Sequence, residues 1–231
     1  MTLQVVILAA GMGTRLGKPW PKPLTPLADG RSIMQQQLEN VEKVFKGEAR
    51  TTIVVGFKLE MIMEAHPNAS YVYNEIYDQT NTSKSLLKAL RASHEGGVLW
   101  LNGDVVFDSR VLERVSDRMR SESSFVCVNT SATAEEEVKY TVDAKGHINA
   151  LSKQVQNALG EAVGINFISK HHKASVIKYL EECDDNDYFE RGLELAIEKA
   201  GIEIEPVDIS DLFAVEVDFQ ADLDRANLNF N

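Results

Sequence analysis

The sequence predicts an α/β protein with a mainly parallel central sheet, helices on both faces and a small β-rich insertion. Over the first 130 residues, short β-branched runs alternate with helical patterns, an order typical of βαβ units. After that point, three closely spaced strand patterns interrupt the alternation. The chain is 44% hydrophobic and 26% charged, which is ordinary globular usage and favours a packed core over disorder.

The first strand is predicted at residues 5–9, where Val-Val-Ile-Leu-Ala is short, apolar and β-branched. A glycine loop and a proline-rich stretch follow. Ser32 is then a candidate N-cap for a helix that carries apolar residues at helical spacing. The remaining elements of this half are strands at 51–55, 71–73, 97–101 and 125–128, and helices at 60–65, after Asn81 or Thr82, and at 111–119.

The second half of the chain has a different order of strands and helices. Strands are predicted at 137–143, 147–152 and 162–169, helices at 171–182 and 188–200, and late strands at 203–207 and 213–217. No stretch has the composition of a flexible linker, and no internal repeat is visible. We therefore expect a single domain over residues 1–231.

The charge balance excludes several classes of protein. A formal net charge of −11 argues against nucleic-acid binding, which usually shows a basic stripe. The acid is concentrated late, since residues 181–231 hold 16 Asp and Glu against 3 Lys and Arg. With no long apolar run and no basic start, we expect neither a membrane partner nor a signal peptide. Together with two distant cysteines, Cys127 and Cys183, this predicts a cytoplasmic protein.

The loop after the first strand suggests phosphate binding, because glycine backbone N–H groups can face an anion. Two familiar versions fail on spacing. The P-loop pattern GxxxxGK[ST] has Met12 where its first glycine belongs. The dinucleotide pattern GxGxxG is met at Gly11 and Gly13 but has Leu16 in the third glycine position. Neither a P-loop NTPase nor an NAD enzyme is indicated.

Residues 8–16 read LAAGMGTRL and are followed by PKPL at 21–24. This run resembles the LAAGxGTRL…PKPL signature of the nucleotidyltransferase superfamily, which has a Rossmann-like fold. Its members include sugar-1-phosphate nucleotidyltransferases and bacterial phosphocholine-type cytidylyltransferases. The resemblance implies that Arg15 and Lys22 are the catalytic cations that stabilise charge around the α-phosphorus. It also implies that the nucleotide lies against Leu8, Ala9, Ala10, Gly11, Gly13 and Thr14.

Two carboxylates are candidates for a metal site. Asp104 follows the strand at 97–101 and matches the family's GD motif, whose Asp binds Mg²⁺ beside the nucleotide. The late segment AVEVDFQADL resembles the family's EIDxxxDL, which matches Asp218 to the second ligand. Mg²⁺ keeps waters and needs few protein carboxylates. Asp104 as a helix cap, and Asp222 or Asp224 in place of Asp218, are the alternatives.

The run NEIYDQTNTSKSL resembles the "N…Y…TNN…SL" segment of choline-type cytidylyltransferases, which lies beside the nucleotide base. The resemblance implies that Asn81 and Ser83 contact the base, since both can offer donors and acceptors to a pyrimidine. Thr82 stands where the family has a second Asn. Helix capping by Asn81 is the alternative interpretation.

The acceptor would lie in the second half. Lys153 matches the family's strand-then-Lys segment and would hold the acceptor phosphate. Tyr188 and Glu190 match its YxE segment, and an aromatic and acidic pair can receive a cationic amine. A surface lysine and an ordinary helix start are the alternatives.

We therefore predict a Mg²⁺-dependent nucleotidyltransferase that joins CTP to a small acceptor and releases pyrophosphate. Residues 1–130 would bind the nucleotide, and residues 131–231 the acceptor and the second metal carboxylate. Phosphocholine, an aminoalkyl phosphate or phosphonate, and a polyol phosphate are candidate acceptors. The alternatives are a sugar-1-phosphate nucleotidyltransferase using UTP or dTTP, and a noncatalytic nucleotide-binding regulator. A homodimer is compatible with the sequence.

Overall fold

The computed structural model describes residues 3–131 and 137–229. The strands are β1 (Leu3–Ala9), β2 (Ala49–Val55), β3 (Ser70–Tyr73), β4 (Val98–Asn102), β5 (Val105–Phe107), β6 (Phe125–Asn129), β7 (Lys139–Val142), β8 (Ile148–Ser152), β9 (Gly160–Ile168), β10 (Glu205–Asp208) and β11 (Ala214–Glu216). The helices are α1 (Ile33–Phe45), α2 (Leu59–Ala65), α3 (Thr82–Ala92), α4 (Arg110–Arg120), α5 (Lys170–Glu182), α6 (Phe189–Ala200) and α7 (Gln220–Asn227). Two short 3-10 turns, Thr14–Leu16 and Lys22–Leu24, lie between β1 and α1.

A mostly parallel central sheet confirms the predicted fold class. Its strands run in the order β10-β6-β9-β4-β1-β2-β3. The pairs among β4, β1, β2 and β3 are parallel, as is the pair of β10 with β6. The strand β9 is antiparallel to both β4 and β6 and carries the β7–β8 hairpin. The β-rich part thus supplies a strand to the middle of the central sheet, a pairing that local sequence patterns do not specify.

The central strands are buried on both faces, which explains their continuous apolar runs. On one face, Val6 and Leu8 of β1 pack in a core with residues of α3, α5 and α6. On the other, Val5 and Ile7 pack in a core with residues of α1 and α4. Helices therefore flank the sheet on both sides, and the carboxyl ends of β1 and β4 open at the same edge.

The sequence patterns did not predict β5 and α7. Both are short, and β5 is formed by pairing with β11, more than a hundred positions away. A third core cluster holds this unit together: Val106 of β5, Val215 of β11 and Leu223 of α7 belong to it. This unit brings the segment after β11 beside the loop after β4. Within the described residues, no helix combines the length and apolar character needed to cross a membrane.

Candidate active site

A cavity of about 290 Å³ lies at the carboxyl ends of β1 and β4. Parallel α/β sheets bind ligands at this edge. The cavity brings together most of the residues that the sequence predicted for the site. They are Leu8, Ala9, Gly11, Gly13, Thr14, Arg15, Lys22, Asp104, Lys153, Tyr188, Glu190 and Asp218.

The glycine loop needs its glycine at position 13. Gly13 has a φ of 57°, in the left-handed region that glycine tolerates best. A Cβ on Gly13 would lie 2.9 Å from the Cβ of Lys22. This glycine therefore lets the loop and the Lys22 segment pack together. A Cβ on Gly11 would meet only open space, so the backbone there is accessible to a ligand.

One lysine joins the two predicted metal carboxylates. Nζ of Lys22 lies 2.8 Å from Oδ2 of Asp104 and 2.5 Å from Oδ1 of Asp218. Arg15 Nη1 lies 2.8 Å from the other oxygen of Asp218. Burial alone would lower the pKa of Lys22, but the two carboxylates outweigh it and raise that pKa. Burial also opposes ionisation of Asp218, yet Lys22 and Arg15 hold its pKa below the ordinary value.

The neighbours of these carboxylates have other partners. Oδ2 of Asp222 accepts hydrogen bonds from the backbone N–H groups of Asp218 and Phe219, at 3.2 and 2.8 Å. Oδ1 of Asp224 accepts one from Gln220. At the start of α4, the backbone N–H of Arg110 donates to Asp108, and Asp104 lies outside this helix. The geometry therefore favours Asp104 and Asp218 as the carboxylates that face the cavity.

The donor set fits a small hard cation that keeps part of its hydration. The position between Asp104 and Asp218 already accommodates a positive charge, the Lys22 ammonium. Within residues 3–131 and 137–229, no group of three or more His, Cys, Asp or Glu has a metal-binding arrangement. A pair of carboxylates completed by substrate phosphates and water is the arrangement that Mg²⁺ commonly uses.

A half-buried carboxylate, that of Glu216, lies next to this pair. Asn102 Nδ2 donates to Oε1 of Glu216 at 3.2 Å. A Cβ on Gly164, whose φ is 65°, would lie 2.7 Å from both of those atoms. Burial, and then the charge of Asp104, raise the pKa of Glu216 well above its ordinary value. Glycine at position 164 is thus required for this contact to form.

The same cavity is also lined by further acidic and aromatic residues. Glu190 is buried, and its Oε2 has no hydrogen-bond partner among the described residues. Burial raises the pKa of Glu190 to about 7. Burial, followed by the charge of Glu161, also raises the pKa of Glu137. Lys153 Nζ lies 4.9 Å from the centroid of the Tyr188 ring, and both residues line the cavity. A cation that reached Glu190 would give its Oε2 the partner that this atom lacks.

Three predicted residues do not line the cavity. Ala10 is buried, and its carbonyl accepts a hydrogen bond from Phe57. Asn81 caps α3 by accepting from the Thr82 N–H at 2.8 Å, and it donates to Asn186 O in the α5–α6 loop. Ser83 is fully buried. Thr82, which the sequence analysis treated as the mismatch, lines the cavity instead.

A comparison with protein families identifies the family of the chain. Residues 5–174 match the family described as the MobA-like NTP transferase domain. The chain belongs to this family. It is a nucleotidyltransferase, and the predicted resemblance is confirmed.

Curated relatives of this transferase are longer proteins. It is 29% identical over 254 residues to the CMP-5'-(3-aminopropyl)phosphonate synthase of Streptomyces rubellomurinus, covering 99% of this chain and 39% of that protein. It is 34% identical over 117 residues to the bifunctional protein GlmU of Methanococcus vannielii, covering 48% of this chain and 27% of that protein. The chain thus spans about two fifths or less of the length of these relatives.

Solved structures share the fold of the transferase. The CTP:phosphocholine cytidylyltransferase LicC from Streptococcus pneumoniae superposes with a TM-score of 0.78 at 16% identity, covering 100% of both chains. The inositol-1-phosphate CTP transferase from T. maritima gives a TM-score of 0.77 at 15% identity, covering 96% of this chain and 92% of that one. At these identities the likeness shows the fold alone.

Two side chains to which the sequence patterns assigned no role lie beside the predicted site. Glu216 lines the cavity two residues before Asp218, and this period-two spacing was the available signal. Gln37 is fully buried in α1 and donates to the loop that carries Asp104. Nothing in the local sequence separates Gln37 from its neighbours Gln35 and Gln36.

Proposed function

We propose that this transferase moves a cytidylyl group from CTP to a small phosphate or phosphonate acceptor that carries a cationic amine. We also propose that residues 1–231 act as one domain, with the nucleotide at the glycine loop and the acceptor near Glu190. One observation carries the proposal. A single cavity is lined by two cations, by the two carboxylates that they contact, and by the buried Glu190, whose Oε2 has no hydrogen-bond partner among the described residues.

The phosphate end suits two anions that must meet. Arg15 and Lys22 supply positive charge where the nucleotide α-phosphate and the acceptor oxygen would come together. An ionised phosphate or phosphonate oxygen needs no side-chain base, so the main tasks of these residues are orientation and charge neutralisation. Asp104 and Asp218 would hold Mg²⁺, which supplies further neutralisation of the triphosphate when bound.

The acceptor end suits a small amine. Glu190 and Glu137 lie at this end, and an acceptor ammonium would be stabilised by the ionised form of Glu190. The Tyr188 ring already lies against one ammonium, that of Lys153. We propose that Lys153 leaves the ring to contact the acceptor phosphate while the acceptor amine lies between Tyr188 and Glu190. The aminopropylphosphonate product named for the Streptomyces relative supports this class of acceptor.

The choice of nucleotide rests on the same relatives. The synthase from Streptomyces and the two superposed structures are named for CMP or CTP. A sugar-1-phosphate acceptor with UTP or dTTP is the second candidate, and the solved structures that share this fold include a UDP-glucose pyrophosphorylase complexed with UDP-glucose. A noncatalytic regulator is not favoured, because the cations and carboxylates of a transferase site meet in one cavity.

A pyrophosphate-release matrix tests the proposal. CTP, UTP, dTTP and ATP are each combined with 2-aminoethylphosphonate, 3-aminopropylphosphonate, phosphocholine, glycerol phosphate and glucose 1-phosphate. We expect release with CTP and an amine-bearing acceptor. The Glu190→Gln variant should raise KM for the amine-bearing acceptor and leave KM for ethylphosphonate, which lacks the amine, unchanged. Preference for a sugar phosphate with UTP or dTTP would contradict the proposal.

A further inference from the structure

The loop that carries Asp104 is fixed by backbone contacts from both sides. The Gly103 N–H donates to Leu8 O at 3.0 Å, and the Asp104 carbonyl accepts from the Val217 N–H at 3.0 Å. A Cβ on Gly103 would lie 2.6 Å from that same Leu8 oxygen. The ends of β1 and of the β11 segment therefore hold the middle of the loop.

One side chain holds the two flanks of the loop. Nε2 of Gln37 lies 2.8 Å from the carbonyl oxygen of Asn102 and 2.7 Å from that of Val105. These two residues bracket Gly103 and Asp104. A primary amide has two N–H donors, so one NH₂ group can satisfy both carbonyls at once. Gln37 is fully buried, and water cannot easily replace it there.

The same helix is tied to the Lys22 segment. The N–H of Ile33, at the start of α1, donates to Thr25 O at 3.1 Å, and the N–H of Thr25 donates to Lys22 O at 2.9 Å. Through α1, the amide of Gln37 therefore connects the segment that carries Lys22 to the loop that carries Asp104.

We infer that Gln37 is a positioning residue for Asp104, and through it for the divalent cation that Asp104 and Asp218 would hold. The inference rests on the proposed metal site. Gln37 touches neither metal nor substrate, and it acts by setting the shape of the loop from which Asp104 extends. Groups that orient metal ligands in this way typically contribute about 10- to 100-fold to metal affinity or activity.

The neighbouring residues provide a matched control. Gln36 and Asn40 are buried on the same helix and donate through their amides to the Phe107 carbonyl, at 2.6 and 2.7 Å. The Gln36→Met/Asn40→Leu double variant removes two buried amide hydrogen bonds, as Gln37→Met does, but from the far end of β5. Both variants should lose stability, and only Gln37→Met should disturb the loop of Asp104.

Mn²⁺ binding to the full-length proteins, followed by electron paramagnetic resonance without nucleotide, is the direct test. We expect the dissociation constant to rise about 10- to 100-fold in Gln37→Met and to stay at the wild-type value in the control. The Mg²⁺ concentration that half-activates pyrophosphate release should rise in the same proportion, while KM for the acceptor is unchanged. Gln37→Asn retains an amide that is too short to reach both carbonyls, so it should shift Mn²⁺ binding in the same direction if Gln37→Met does not fold.

These measurements distinguish failure of the proposed metal site from failure of the positioning role of Gln37. If neither the wild type nor Lys22→Met, which lacks the ammonium that lies between the two carboxylates, binds Mn²⁺, the metal site fails, and the role of Gln37 fails with it. If the wild type binds Mn²⁺ and both Gln37 variants bind it equally well, only the role of Gln37 is overturned.

Discussion

The ammonium of Lys22 lies 2.5 Å from Oδ1 of Asp218, although 196 positions separate the two residues in the chain. The same ammonium contacts Asp104 at 2.8 Å, so it stands between both carboxylates that would hold a divalent cation. A divalent cation at the proposed site would therefore compete with the Lys22 ammonium for one position. A nucleotide that attracts Lys22 to its phosphates would at the same time free the carboxylates for the metal.

Lys22→Met should therefore bind Mn²⁺ more tightly than the wild type in the absence of nucleotide. The gain should be at least about tenfold, or about 1.4 kcal/mol, well within the interaction of two partly buried unit charges. Turnover should nevertheless fall, because the cation facing the α-phosphate is gone. Lys18→Met removes the same charge from the same loop and should change Mn²⁺ affinity much less. Equal Mn²⁺ affinity in wild type and Lys22→Met would contradict the competition.

Asp104→Asn should reduce pyrophosphate release by roughly 100-fold or more, the loss that a misplacement of about 1 Å in an active site can cause. The amide keeps the size of the carboxylate but removes the charge that contacts Lys22. Asp108→Asn is the control, since Asp108 pairs with Arg110 outside the cavity. Full activity of Asp104→Asn would exclude Asp104 as a metal ligand.

Glu190 should make stability depend on pH. Its ordinary pKa is 4.5, and burial raises it to about 7 in the folded protein. The stability associated with the neutral form is present below pH 4.5 and is lost as pH rises through 7. The substitution Glu190→Gln should therefore increase the free energy of unfolding more at pH 8 than at pH 5. The difference between the two gains should be roughly 3 kcal/mol at most. Urea unfolding at both pH values measures this difference, and the exposed Glu198→Gln on the same helix should show none.

Gly164→Ala should damage both stability and activity. The left-handed backbone costs an alanine about 1–2 kcal/mol. Its Cβ would also push apart Asn102 and Glu216, each 2.7 Å away. Gly201→Ala has nearly the same φ, 64°, with open space around its Cβ, so it isolates the backbone cost. Urea unfolding and pyrophosphate release should show a larger loss for Gly164→Ala in both measurements. Equal effects would mean that the contact between Asn102 and Glu216 does not matter.

Much of the fold follows from local patterns. A short apolar run predicts the strand at 5–9, which is β1 in the structure. The Ser32 cap and the helical spacing of apolar residues predict the helix that follows, which is α1. The strand β5 does not, because it has three residues and depends on a partner far along the chain. The strand β9 has a strong apolar pattern, but its place between β4 and β6 is a matter of sheet pairing that the pattern leaves open.

The sequence by itself determined the kind of site. Residues 8–24 predicted the glycine loop with Arg15 and Lys22 through their resemblance to a family signature, because such a signature specifies residue types over a short stretch of chain. Only the tertiary structure decided how the site is assembled. It is the pairing of β5 with β11 that brings Asp218 to Lys22, and the packing of α1 that places Gln37 under the loop of Asp104. Such contacts join distant segments, so their geometry depends on the whole packed sheet and not on any local period.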